Sequence, residues 1–221
     1  MNQFDLSGLL TFWVQRWDQI LGLALGHLAV VVVSLLIAVV IGVGIGMLVW
    51  NRPVPYSLVI GAAGIALTIP SLALLAVLVP VFGLGWAPTL IALVLYSLLP
   101  IVRNTAVGLR AVPPAIKESA KGMGMSPTRV LISVQLPMAW PIIVTGIRVS
   151  AQFVIGTAAI AAYVAGPGLG QLIFKGLSSL GSKNALNLAL TGTLGVIVLA
   201  LVVDAVLVSI SRSTTSRGLR A

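Results

Sequence analysis

Apolar positions along this chain come in long uninterrupted runs, and polar positions gather in a few short segments between them. Residues 20–51 and 53–102 hold no Asp, Glu, Lys or Arg. A helix needs about 20 apolar residues to cross a bilayer. No segment shows the alternation expected of a membrane β-barrel strand, so the runs predict one helical bundle whose backbone polar groups bond within each helix. The run 53–102 is too long for a single helix. It is divided by FGLGWAP, where Gly83, Gly85 and Pro88 supply a turn and Trp86 suits a membrane interface. Five spans are predicted, at about 23–49, 57–81, 87–107, 141–164 and 186–210, in one transmembrane domain over 1–221. A polar loop at about 108–140 and a Gly-rich loop at about 165–185 connect the last three.

Composition agrees with the pattern. The chain is 59% hydrophobic and 8% charged, and its mean hydropathy of +1.15 is too high for a water-soluble domain. It has no cysteine, which excludes a disulfide framework and thiolate metal sites. The leading segment MNQFDLSGLLTFWVQRWDQ has no basic start and carries Asp5 and Asp18 ahead of the first run, so it is not expected to be a cleaved signal. Five spans put the two ends on opposite sides. With the N-terminus outside, the inner segments hold Arg52, Arg103, Arg110, Lys117, Lys121, Arg129, Arg212, Arg217 and Arg220, against Arg16, Lys175 and Lys183 outside. That imbalance predicts a multi-pass protein of a bacterial cell membrane, N-out and C-in. The net charge of +9 then follows from topology, and no nucleic-acid partner is required.

The polar loop contains KESAKGMGMSPTRVLISVQLP, at 117–137. Its local chemistry predicts two short helices with a break: Pro113 and Pro114 start the first, Gly122 and Gly124 interrupt it, and Ser126 with Pro127 caps the second. A small, cationic knuckle with flexible Met123 and Met125 fits a groove on a soluble partner. A solvated inner loop has the same composition, and the residues alone do not choose between them. Enzymatic readings fail on inventory. Asp5, Asp18, Glu118 and Asp204 are the only acids and His27 the only histidine, too few for a catalytic set, a metal cluster or a cofactor site. GVGIG at 42–46 lacks the setting of a nucleotide loop, and its Gly42 and Gly46 read as a close helix-packing face. His27 reads as a packed or interfacial side chain.

Polar groups inside the spans are few. Arg148 and Asp204 sit at similar depth, which permits an ion pair between the fourth and fifth spans; Arg148 snorkelling alone to the inner surface is the competing reading. Thr68, Ser71, Tyr96, Ser97, Ser150 and Gln152 are candidates for a translocation path, and equally for helix-to-helix hydrogen bonds. Pro70 and Pro100 predict kinks. Trp13, Trp17 and Trp86 on one side and Trp50 and Trp140 on the other form an interfacial belt. In the Gly-rich loop, Leu169, Leu172, Ile173 and Leu177 predict one apolar face of a short helix.

Glu118, Ser119 and Ala120, then Gly124, then Val134, Leu136 and Pro137 resemble the E-A-A, G, I-x-L-P pattern of ABC importer permeases at that family's spacing, with Ser119 for alanine and Val134 for isoleucine. TIPSLALLAVLVP, FGLGW, YSLLPIVRNTAVGL, GIRVS and AGPGLG, spread over 64–170, are similar to segments of osmoprotectant importer permeases. The resemblance implies an all-α integral membrane protein with the type I ABC importer permease (MetI-like) fold, about five transmembrane helices and a cytoplasmic coupling helix. It implies that Glu118, Ser119, Ala120, Gly122, Gly124 and Met125 dock on an ATP-binding cassette ATPase dimer. It also implies an extracytoplasmic solute-binding protein, a second permease subunit, identical or paralogous, and a solute of the glycine betaine, choline, carnitine or proline betaine type. ATP and Mg then belong to the ATPase, and this chain is not itself an enzyme. A permease for another small solute such as an amino acid is the alternative; an ion-coupled carrier fits poorly, since five spans with one deep acid show neither repeats nor a chargeable midplane site.

Overall fold

The computed structural model describes residues 6–214, and Asp5, Arg217 and Arg220 lie outside the described residues. The order is α1 (Leu6–Gln15), α2 (Trp17–Val49), α3 (Pro53–Thr68), α4 (Ser71–Phe82), α5 (Trp86–Ala111), α6 (Pro114–Gly122), α7 (Pro127–Val130), a π turn (Leu131–Gln135), α8 (Leu136–Ala161), a 3₁₀ turn (Ala162–Val164), α9 (Gly170–Ser178) and α10 (Ala185–Thr214). No strand occurs among the described residues.

α5 is the centre, packed between α2 and α8. Two glycines set the first contact. A Cβ on Gly42 would lie 2.7 Å from Ile101 Cγ2, and one on Gly46 would lie 2.6 Å from Thr105 Cβ, so α2 approaches α5 to backbone range along the face that the glycine spacing predicts. Gly146 does the same for α8, where a Cβ would meet Asn104 Cβ and the Pro100 carbonyl at 2.7 Å. One buried cluster joins Val30, Val31 and Leu35 of α2 to Leu93 of α5, Val154 and Ile155 of α8, and Val203 of α10. A second, toward the α6 end, joins Ala38, Ile101, Leu109, Ala139 and Ile143.

The expected span at 57–81 is two helices rather than one. α3 and α4 meet at 95°. Pro70 has no N–H and pushes the residue before it out of the helical region, and Ile69 sits at φ −68°, ψ 126°. The Tyr96 hydroxyl donates to the Ile69 carbonyl at 2.7 Å and satisfies a group that the break releases. Four helical stretches are long and apolar enough to cross a membrane, and the bent pair makes a fifth if it counts as one span. α5, by contrast, passes through Pro100 without ending.

The expected fourth span at 141–164 begins earlier, because α7, the π turn, α8 and the 3₁₀ turn form one stretch, Pro127–Val164. Ser126 caps it by accepting from the Arg129 N–H, and Pro127 is its first residue. The wide turn at Leu131–Gln135 ends two residues before Pro137, whose ring would press on the carbonyl one turn back in a regular helix. The connection expected at 108–140 is therefore a short arm holding α6. α1 is a helix that the sequence pattern did not predict: it is 10 residues long, far below a span. Phe12 packs it against Leu169, Leu172 and Leu188, and Trp13 Nε1 donates to Thr191 Oγ1 at 2.8 Å. α9 forms as expected, with Leu169 and Leu172 buried and Ile173 half-buried, but Leu177 is 52% exposed and small Gly176 takes the buried place, against Ala185 and Ala189 of α10.

Candidate functional site

The arm between α5 and α8 builds its helix from its own sequence. Pro113 and Pro114 end α5, and Pro114 opens α6. At the other end Gly124 takes φ 80°; the Met125 N–H donates to the Ala120 carbonyl at 3.2 Å and the Gly124 N–H to the Lys121 carbonyl at 2.9 Å. This is a Schellman cap, and its left-handed residue costs least as glycine. Gly124 therefore has a backbone reason for its place in the motif. Ala120 is buried against the bundle, where a larger side chain would lift the helix, while Glu118, Ser119 and Gly122 are exposed and Met125 is half-buried. The Ser119 hydroxyl donates to the Ala115 carbonyl one turn back at 2.8 Å and engages no other element.

One cation of α6 reaches the end of α2, where a cation of α5 also binds. Lys117 Nζ lies 5.8 Å from the Trp50 ring centroid. Arg110 Nε donates to the Trp50 carbonyl at 2.6 Å, and its guanidinium lies 4.1 Å from the Tyr56 ring. A cleft of about 520 Å³ separates α6 from the end of α2 and the start of α7, lined by Trp50, Arg52, Lys117, Glu118, Lys121 and Gln135 among others. The arrangement is a capped, solvent-facing helix held off the bundle on a short arm, which suits mechanical contact with a partner.

Arg148 and Asp204 meet. Arg148 Nε donates to Oδ1 at 3.0 Å, and Nη2 donates to Oδ1 at 2.9 Å and to Oδ2 at 3.0 Å. The pair joins α8 to α10 and is about one-third exposed. The other embedded polar groups divide. The Ser97 hydroxyl donates to the Leu93 carbonyl at 2.7 Å, and the Ser150 hydroxyl donates to the Ser97 carbonyl at 2.9 Å, both buried between α5 and α8. Ser150 and Tyr96 thus tie α5 to α8 and to the α3–α4 break, while the Ser97 hydroxyl bonds within α5. Thr68, whose hydroxyl donates to the Ile65 carbonyl at 2.7 Å, is exposed, and Ser71 is half-buried just past the break. Gln152 is exposed on α8, in a stripe with Thr145, Val149 and Gly156 that Arg148 flanks.

Two residues gain importance from the structure. His27 is fully buried: its Nε2 donates to the Ile155 carbonyl at 3.2 Å, and its Nδ1 has no partner. Gly168, at φ 125°, lies so close that a Cβ would sit 2.7 Å from Nδ1. Gly168 of the Gly-rich loop therefore packs directly on the imidazole, where no larger residue fits. Arg103 lies inside α5, as the span expected at 87–107 places it, although it is counted among the inner basic residues; the uncharged run stops at Val102, but the helix continues past 107 and ends only where Pro113 forces it to. The proline pair, not the last apolar residue, marked that end.

The chain matches, over residues 38–216, the family described as binding-protein-dependent transport system inner membrane component. It is 35% identical over 215 residues to the carnitine transport permease protein of Listeria monocytogenes, covering 97% of each chain. It is 37% identical over 194 residues to the choline transport system permease protein of Bacillus subtilis (strain 168), covering 88% of each. It is 38% identical over 199 residues to the osmoprotectant import permease protein of Salmonella typhimurium, covering 88% of this chain and 91% of the relative. Among solved structures, the fold matches a chain of the inward-facing methionine ABC transporter with a TM-score of 0.78 at 23% identity, over 89% of this chain and 96% of the other.

Proposed function

The chain belongs to the inner membrane components of binding-protein-dependent transport systems, and from that premise we infer that it is the permease subunit of an ATP-driven importer for compatible solutes of the glycine betaine, choline and carnitine type. The observation that carries this reading is near full-length similarity, at 35% identity or above, to three permeases whose names specify carnitine, choline and osmoprotectants.

In this reading the α6 end of the bundle faces the cytoplasm and the N-terminus the outside, as the basic residues around α6 favour. α6 seats in a groove on an ATP-binding cassette subunit through Glu118, Ser119, Ala120, Gly122, Gly124 and Met125. ATP and Mg are held and hydrolysed there, and nucleotide-driven closure of two such subunits moves two permease subunits against each other. The second permease is a further copy or a paralogue. An extracytoplasmic binding protein delivers the solute to the opposite end, where α9 and the loop packed on His27 provide the surface. The path runs along polar positions open to the outside of the chain, of which exposed Thr68 and Gln152 and half-buried Ser71 are candidates; Tyr96 and Ser97 support its walls.

The test is uptake by proteoliposomes holding this permease with its ATPase and binding protein. ATP-dependent accumulation of labelled glycine betaine or choline is expected. Accumulation of an amino acid such as methionine with neither quaternary solute would overturn the substrate class and leave the importer.

A further inference from the structure

Three charges lie deep in the α6 half of the bundle, and one has no partner. Arg110 at the Trp50 carbonyl marks one interfacial level, and Trp140, whose Nε1 donates to Thr214 Oγ1 at 2.8 Å, marks the same level on the far side. At about 1.5 Å per residue, Arg103 sits about 10 Å further in than Arg110, Arg148 about 12 Å further in than Trp140, and Asp204 about 15 Å further in than Thr214. Arg148 and Asp204 neutralise each other. Arg103 is exposed and makes no hydrogen bond or ion pair among the described residues. The bidentate pair also leaves Arg148 Nη1 without a bond.

The two helices share this level. The ideal Cβ position of Gly146 lies 2.7 Å from the Pro100 carbonyl and from Asn104 Cβ, so Arg103 is level with the start of the α8 stripe at Thr145, with Gln152 about 10 Å further along the helix. An unpaired cation at this depth is too costly to face lipid, so the face it occupies is wet or is covered by an oppositely charged group. None of the described residues offers one, and the local balance is one positive charge in excess.

We propose that this face, with Arg103 as its free cation, is an inner station on the solute path that receives the carboxylate of a zwitterionic solute before its release on the α6 side. The proposal rests on the compatible-solute reading, and it separates members of that class: glycine betaine and carnitine carry a carboxylate, choline does not. A guanidinium can take both oxygens of a carboxylate, and because Asp204 neutralises Arg148, Arg103 carries the uncompensated charge.

The experiment compares wild-type complex, Arg103→Gln, Arg103→Lys and Gln152→Glu in proteoliposomes, reading glycine betaine uptake, choline uptake, ATPase activity stimulated by loaded binding protein, and ATPase co-purification. Arg103→Gln is expected to lower glycine betaine uptake about tenfold while choline uptake stays within about twofold, with Arg103→Lys recovering part of the loss. Gln152→Glu, at an exposed site one turn from Arg148, adds a competing carboxylate and is expected to shift the ratio the same way. This second variant carries the test where Arg103→Gln fails to assemble. Equal effects on both solutes, or none, overturn the station and leave the importer reading standing. Wild-type uptake of choline without any carboxylate-bearing solute also overturns it. If neither solute moves, the proposed function and the station fall together.

Discussion

At the scale of single residues, glycine decides how closely these helices pass. Gly42 and Gly46 face α5 at a separation no Cβ would tolerate, whereas Gly44, two residues from each, has nothing within 4 Å. Gly46→Val is expected to destabilise the folded permease by about 1–3 kcal/mol through overpacking. Gly44→Ala, in the same helix, is expected to be neutral or to stabilise by up to about 1 kcal/mol from helix propensity. Thermal unfolding of the two variants in detergent separates them, and equal shifts would refute the packing face. The Arg148–Asp204 pair belongs to the same scale. Either residue neutralised alone leaves a charge inside the bundle, so Asp204→Asn is expected to reduce assembled protein, and the Arg148→Asp, Asp204→Arg double swap to recover part of it. Recovery in the swap is what a snorkelling Arg148 would not give. Both features were legible in the sequence, one as spacing and the other as matched depth. Arg103 was legible as a member of the span expected at 87–107, but its standing without a partner was not, because no local pattern reports which side chains pair across helices. His27 was legible as a packed side chain, but its contact with Gly168 joins positions 141 residues apart by number, which no local pattern encodes.

At the scale of elements, prolines matter more than hydropathy. The pattern predicted a kink at Pro70 and the chain makes a 95° break, since extended backbone at both Ile69 and Pro70 removes the helix altogether. Tyr96 closes the released carbonyl. Tyr96→Phe leaves that group unpaired and is expected to cost about 1–3 kcal/mol, read as a lower melting temperature than that of a Tyr163→Phe control, whose parent hydroxyl makes no bond and lies at an exposed site. The π turn at Leu131–Gln135 is a second such element, invisible to periodicity because one extra residue in a turn leaves composition unchanged. It sets the rotation of α6's arm relative to α8. Deleting Ser133 restores α-helical register and turns everything before it by about 100°. The expected outcome is a permease that inserts and binds its partners but no longer stimulates ATPase activity, measured in the reconstituted complex. Retained stimulation would show that the arm's orientation is not fixed by this turn.

At the scale of the whole molecule, the bundle is incomplete as a conduit. α10 buries few side chains, among them Leu188, Thr191 and Val203, and the α8 stripe of Thr145, Arg148 and Gln152 is open to the outside of the chain. Polar groups on the outer face of a membrane bundle call for a partner or water, which is what the proposed second permease subunit would supply by enclosing a path. The fold class was legible from run lengths. The helix count was not settled by them, because the α3–α4 break falls inside an uncharged run. The function was legible mainly at α6, where Gly124 caps a helix that Glu118 and Ser119 present to solvent.

The role proposed for α6 is to transmit nucleotide-driven closure of an ATPase to this bundle. Its most direct test is ATPase activity and glycine betaine uptake by the reconstituted complex, with and without loaded binding protein, for wild type and Glu118→Arg. Glu118 is exposed, so the variant is expected to insert normally, lose binding-protein-stimulated ATPase activity and lose uptake together. A Glu118→Arg complex that keeps both at wild-type levels would contradict the account.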